Sequence, residues 1–388
     1  MRKKRMNFST VKRISLAAFS LAALSSVALS ADSRVDTLDR QMKEVGTGNA
    51  KGTFGARTAP ERYEVNDGSH WFVGFDVLYW KSNFSNNDYV QGSTDPAAGL
   101  PNVGEVYNIG YDWDWGVKAR LGYQFDHDNW DTSIRYNWFS SSAGNSQSAG
   151  LGQSLLPLRT VGDEMLAGVI PGSNAQDFDF CTRAVGNGSF NFQTLDWDLS
   201  RAFFTSSKLS FRPNIGLRSA WIKINEKVEY TGGTPVGTTF GLADHAVYEN
   251  DDCKTWGIGP RIGADSKWHL GRGFSIFGDV SASLVYTYFK MEHFAQYSEF
   301  PTTNYMDVTA SDHQFVPNVD LFLGVRWDSC INKNQQHIGI GLGWDTQYWW
   351  SQYRRMVKNT REDGNLSLRV ESQNMSIQGI SLTVDVDF

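Results

Sequence analysis

Asp112 and Asp114 lie two residues apart in the stretch DWDWGVKARLGYQF. Paired carboxylates can activate a water molecule when a histidine faces them. An Asp-x-His partner would supply that histidine. The chain has His70, His127, His245, His269, His293, His313 and His337, and none of them lies in Asp-x-His. Asp126-His127 and Asp244-His245 are adjacent pairs, and adjacent strand residues point to opposite faces, so they make poor dyads. No His/Cys cluster has zinc spacing, no glycine-rich loop opens a helix, and no G-x-S-x-G occurs. The motifs therefore predict no enzyme, no metal and no cofactor.

The charges of this stretch suggest another role once their neighbours are counted. Trp113, Trp115, Val117, Ala119, Leu121, Tyr123 and Phe125 occupy the odd positions. Asp112, Asp114, Gly116, Lys118, Arg120, Gly122 and Gln124 occupy the even ones. As a β-strand this segment has one greasy wall and one charged wall. A one-residue slip would place Lys118 and Arg120 in the greasy solvent, at about 2–4 kcal/mol each if that solvent is a bilayer midplane.

The alternation recurs near 71–80, 130–138, 195–200, 209–221, 256–268, 276–288, 315–327, 337–348 and 380–388. With 112–125 this predicts a transmembrane antiparallel β-barrel of about ten strands, all-β, with twelve also compatible. Connections alternate short and long. Four residues (Asp126–Asn129), Thr205–Ser207, Gly271-Arg272-Gly273 and Asp328–Asn334 read as periplasmic turns; stretches near 141–188, 223–253, 291–312 and 351–374 read as extracellular loops. Pro213, Pro260 and Pro317 fall inside strands and are expected at bulges or strand ends. The apolar part of 141–188 is expected to pack inward as a plug. A soluble sandwich would also alternate, but its wet face usually carries Lys, Thr and Ser, whereas this one is rich in Asp, Arg and Gly.

The ends of the chain agree. Arg2, Lys3, Lys4, Arg5, Lys12 and Arg13 precede an apolar run that closes on small residues, which reads as a signal peptide over 1–31. Residues 32–69 are expected to form a short periplasmic helix and a Gly-rich linker before a barrel over 70–388. Val35, Leu38, Met42 and Val45 have heptad-like spacing, so 33–46 could join protomers, for instance as a trimer. Ile380, Leu382, Val384, Val386 and Phe388 form the apolar face of the last strand, and they resemble the signal read by the outer-membrane barrel-assembly machinery. The mean hydropathy of −0.39 and a net charge of −6 leave no polybasic footprint for nucleic acid. Lipid of the outer membrane is the expected surrounding.

Projecting the inner faces gives the candidate pore lining: Asp76, Asp112, Asp114, Lys118, Arg120, Asp131, Arg135, Asp196, Asp198, Arg212, Arg218, Arg261, Asp265, Lys267, Asp279, Asp320, Arg326 and Asp345, with Asp385 and Asp387 beside them. These charges either tune ion passage along an aqueous path or pair across the lumen and hold it shut. Ten strands lie near the size at which side chains fill a barrel. Cys181 and Cys253 are candidates for a disulfide between outer loops, leaving Cys330 for a cross-link between molecules.

The stretches WGIGPRIGADSKWHLGRGFSIFGDVSASLVY (256–286), LDWDLSRAF (195–203), VDLFLGVRWD (319–328) and the terminal VDVDF resemble the Legionella and chlamydial major-outer-membrane-protein-like family. That resemblance implies a porin of the outer membrane and brings no catalytic residues. A closed structural barrel, or an adhesin acting through its outer loops, is the alternative. An omptin-like surface protease, also ten-stranded, is a remote one.

Overall fold

The computed structural model describes residues 70–96, 103–125, 130–160, 180–232, 242–298, 304–331, 335–360 and 366–388. The expected signal peptide and the 33–46 helix lie outside the described residues. The strands are β1 (Trp71–Phe84), β2 (Asp88–Ser93), β3 (Val106–Asn108), β4 (Trp113–Gln124), β5 (Trp130–Ser148), β6 (Ser154–Pro157), β7 (Arg183–Arg201), β8 (Phe203–Phe204), β9 (Leu209–Gly232), β10 (Leu242–Gly271), β11 (Phe274–Tyr297), β12 (Asn304–Ile331), β13 (Gln336–Thr360) and β14 (Leu366–Asp387).

Neighbouring strands pair antiparallel in the order β1-β4-β5-β7-β9-β10-β11-β12-β13-β14, and β14 returns to β1. The ring is closed, with ten strands, as the alternation predicts. Closure leaves no open sheet edge in the bilayer. The last strand seals it: Val73 pairs with Val386, and the Phe388 amide donates to the Trp71 carbonyl at 3.0 Å. Ile380, Leu382 and Phe388 are exposed on the outer wall.

The lipid wall is legible in exposure. Trp256, Ile258, Ile262 and Trp268 of β10 are all half-exposed, as are Trp71, Val73 and Phe75 of β1. Trp256 and Trp268 are twelve residues apart on β10, which is roughly 28 Å of height at ~3.3 Å per residue and ~45° tilt. That matches the ~25 Å apolar band of outer-membrane barrels, with tryptophan at both interfaces. Among the described residues, 205–208 and 271–273 form tight turns on the periplasmic side. At Gly271, Arg272 and Gly273 the φ angles are 107°, 54° and 82°, a left-handed run that two glycines make affordable.

The strands are longer than the outward apolar pattern suggests. Much of 141–188, 223–253, 291–312 and 351–374 is strand rather than loop, and β10 alone has 30 residues. Alternation continues above the bilayer, but there the outer wall is polar, so a reading keyed to greasy walls stops at the girdle. Each proline keeps one ladder and ends or interrupts the other. Pro213 pairs with Ala264 while the β7–β9 ladder stops one residue away at Ser200 and Asn214. Pro260 pairs with Leu217 while the β10–β11 ladder skips Gly259 and Pro260. Pro317 pairs with Leu284 while the β12–β13 ladder stops one residue away at Asn318 and Trp349. Above it β12 pairs with β11 and β13 with β14.

Candidate functional site

The lumen has two storeys, and the inward-facing residue of each strand decides which. At bilayer height the inner positions are charged. Above it a cluster of aromatic and aliphatic side chains fills the lumen.

The lower storey is a cavity of about 150 Å³ that reaches the periplasmic end of the barrel at His269 and Asp387. Asp76, Lys118, Arg120, Arg135, Asp196, Arg212, Arg218, Arg261, Asp265, Lys267, Asp279, Asp320, Arg326 and Asp345 line it, with Asp385 and Asp387. Asp131 and Asp198 are buried beside it. Cross-strand register creates the pairs. Arg218 faces Asp196 in the β7–β9 ladder and grips it with Nε at 2.7 Å and Nη2 at 2.8 Å. Its Nη1 donates to Asn318 at 2.7 Å, and Asp320 lies 2.5 Å from Nη2. Arg212 bridges Asp131 and Asp265, Arg261 holds Asp198 at 2.6 Å, and Arg326 joins Asp328 to Asp385. Lys118 meets Asp345, and Arg120 meets Asp385.

Asp76, Arg135 and Asp279 stand apart: among the described residues none of them has a hydrogen bond or an ion pair within 4 Å. An ionic side chain of this kind needs water, and about 150 Å³ holds several molecules.

Asp112 and Asp114 do not belong to this lining. Tyr111 bridges Ala143 while Gly116 pairs with Phe139, so β4 carries one extra residue against β5. That bulge turns Tyr111 into the barrel and leaves Asp112 exposed. Asp114 accepts a hydrogen bond from the Ser142 amide at 3.2 Å.

The upper storey closes the lumen. Phe192 on β7 and Trp349 on β13 meet edge to face, with centroids 5.7 Å apart. These strands are five steps apart in a ring of ten, so the contact spans the full lumen. Trp80 packs on Phe139 at 5.7 Å, and Phe84 touches Phe190 at 5.1 Å and Tyr353 at 5.3 Å. A small sheet, β3-β2-β6, sits over them and buries Tyr89, Val90, Ile109 and Leu155 in the same cluster. Residues 154–157 of the expected inward-packing segment are thus part of the plug; 161–179 lie outside the described residues.

Charged groups pin this cap above the bilayer. Arg159, just beyond β6, lies 2.7 Å from Glu226 and 3.4 Å from Asp251. Lys358 reaches Glu249 at 2.6 Å. His293 faces Asp251 directly across the β10–β11 ladder, with Nδ1 2.7 Å from Oδ1, and its Nε2 is 3.2 Å from Glu249. Burial alone would push this imidazole down, but the hydrogen bonds to Asp251 and Glu249 prevail and raise it to about 9. The same contacts hold Asp251 below the usual carboxylate range despite its burial. His293 is therefore a charged partner with both nitrogens engaged. The Asp251–His293 and His337–Asp387 pairs had no local signature, because 42 and 50 residues separate their members. Only the ladder brings them together.

The expected Cys181–Cys253 disulfide is not formed. Cys181 exchanges backbone hydrogen bonds with Leu155, whereas Cys253 lies in β10 between Ile224 and Met291. Each fills its own place in the plug. Burial pushes both thiols up to about 12. Cys330 lies at the periplasmic end of β12, partly exposed.

The family model described as Legionella pneumophila major outer membrane protein precursor matches residues 65–388. The chain belongs to this family. It is an outer-membrane β-barrel. No curated protein matches it. Among solved structures, the outer membrane protease OmpT from Escherichia coli is similar at 10% identity, with 85% of this chain and 99% of that chain covered and a TM-score of 0.34. A Pseudomonas aeruginosa FadL homologue is similar at 8% identity, covering 82% and 91% with a TM-score of 0.25. The P. putida toluene transporter TodX follows at 9%, covering 83% and 91%, with a TM-score of 0.24. These likenesses are too distant to bear on function.

Proposed function

We propose that this outer-membrane protein is a narrow pore for ions and small solutes, closed at its outer end in the conformation described. The observation that carries the reading is the set Asp76, Arg135 and Asp279, charged side chains that face a cavity at bilayer height without an ion pair. A barrel filled only for stability gains by pairing every buried charge. Charges left to water suit a hydrated path. Two open carboxylates against one guanidinium favour cations mildly. The Phe192–Trp349 contact is the constriction, and movement of the plug is what would admit current.

Planar-bilayer recording of the refolded protein tests this. Phe192→Ala and Trp349→Ala are expected to give larger and longer-lived unit steps than the parent chain. Asp76→Asn with Asp279→Asn is expected to shift the reversal potential toward anions, and Arg135→Gln toward cations. Folded, heat-modifiable barrels that conduct in no variant would overturn the reading. The aromatic roof favours a second reading, a closed scaffold that acts through its outer surface. Cell-binding assays on variants with shortened outer hairpins would then be the informative experiment.

A further inference from the structure

Lys223 on β9, Lys254 on β10 and Lys290 on β11 are direct cross-strand partners in one row. The row beneath them is Trp221, Trp256 and Tyr288, in the same ladders. Both rows point away from the lumen: Trp221 and Trp256 are exposed to lipid, Lys223 and Lys290 are exposed, and the Lys254 side chain is 44% exposed. Two residues of strand raise the lysines roughly 5 Å above the girdle, at ~3.3 Å per residue and ~45° tilt. Aromatic girdles sit at headgroup level, so the ammonium groups reach the phosphate layer of the outer leaflet.

Like charges placed directly opposite on neighbouring strands repel. Strands lie ~4.8 Å apart, so three ammonium groups share about 10 Å of wall. Asp252 and Glu292, one row higher, relieve part of this. Lys254 lies 2.7 Å from Asp252 and 3.3 Å from Glu292, and Lys290 lies 2.5 Å from Glu292. Lys223 has no ion pair within 4 Å among the described residues, and Lys227 stands exposed four residues above it. Hydroxyl and amide groups extend the row, since Asn191 pairs with Lys223 and Ser311 with Lys290. A cationic row, short of anions and fixed at headgroup depth, is complementary to lipid phosphate.

We infer that the outer wall of β9–β11 docks a phosphorylated lipid headgroup of the outer leaflet, with Lys223, Lys254 and Lys290 as its phosphate contacts. This site is independent of conduction, because its side chains point away from the lumen.

The test is binding of diphosphorylated lipid A to the refolded full chain in neutral detergent, read by native mass spectrometry. Dephosphorylated lipid A is the matched probe. Each Lys→Gln change is expected to weaken binding about fivefold, and the triple variant about a hundredfold. The dephosphorylated lipid should bind weakly and equally to all. Lys208→Gln, at a periplasmic turn, should bind like the parent chain. Unchanged affinity in the triple variant would overturn the inference. So would an equal loss for the dephosphorylated lipid, which would assign the contact to acyl chains. If the triple variant does not fold, the single Lys223→Gln change decides by the same criterion.

Discussion

Arg218→Met is the most demanding test of the lower storey. Arg218 and Asp196 are each 3% exposed. Methionine keeps much of the arginine stem but removes the bidentate grip on Asp196, the bond to Asn318, the contact with Asp320 and the stacking on Trp349 at 5.9 Å. Stripping one partner from a buried pair costs about 3–5 kcal/mol. Two features move this case toward the lower end. Asp196 keeps Arg261 at 3.6 Å, and Asp320 keeps the Ser281 hydroxyl at 3.0 Å beside the water-sized cavity. The expected loss is about 3 kcal/mol, more than a hundredfold in the folding equilibrium. Urea titration in detergent micelles, followed by tryptophan fluorescence, measures it, and an unchanged m-value confirms that the native state has not loosened. Adding Asp196→Leu removes the stranded carboxylate, so the double variant should regain about 1.5 kcal/mol or more over additivity. A loss below about 1 kcal/mol, or strict additivity, would refute a tightly paired lumen and imply that bulk water reaches Arg218.

Three further outcomes follow from the same geometry. The folded value of His293, about 9, exceeds its ordinary 6.5, so its stabilisation is complete below about pH 6.5 and disappears as pH rises through about 9. Urea midpoints from pH 6 to 10 should fall by an amount worth about 2–3 kcal/mol, and His293→Gln should flatten that fall. Cys181 and Cys253 are buried and hard to ionise, so maleimide should label them only after unfolding, and labelling in the native state would disprove the packed plug. Ile262→Arg places a cation on the exposed lipid wall and should cost about 2–4 kcal/mol by urea titration in lipid vesicles.

The walls of the barrel were legible because each residue of a strand points to one of two solvents, and lipid sorts side chains severely. Trp113 to Phe125, the Trp256-to-Trp268 span and the Ile380-to-Phe388 face needed nothing beyond a period of two. The stretch FNFQTLDWDL reads weakly for an instructive reason: Phe190 and Phe192 are on the lumen wall, while Leu195, Trp197 and Leu199 are on the lipid wall. Alternation persists, but the apolar set passes from the lumen wall to the lipid wall within the stretch. Asn191 and Gln193 lie on the outer wall beside the phenylalanines, and Asp196 and Asp198 on the lumen wall beside the lipid-facing residues, so hydropathy alone cannot assign the walls. The same ambiguity hid the plug, because an inward aromatic looks like any other aromatic until its opposite strand is known.

Sequence alone therefore determined the ten-strand barrel, its lipid wall and most of the charged lining, since local alternation fixes the direction of a side chain. Tertiary structure decided which charges pair, which three remain open to the cavity, that a single extra residue ejects Asp112, and that Phe192 meets Trp349 across the lumen. Those outcomes depend on register and ring closure. Both join residues far apart in the chain, and no local pattern encodes the distance across a closed barrel.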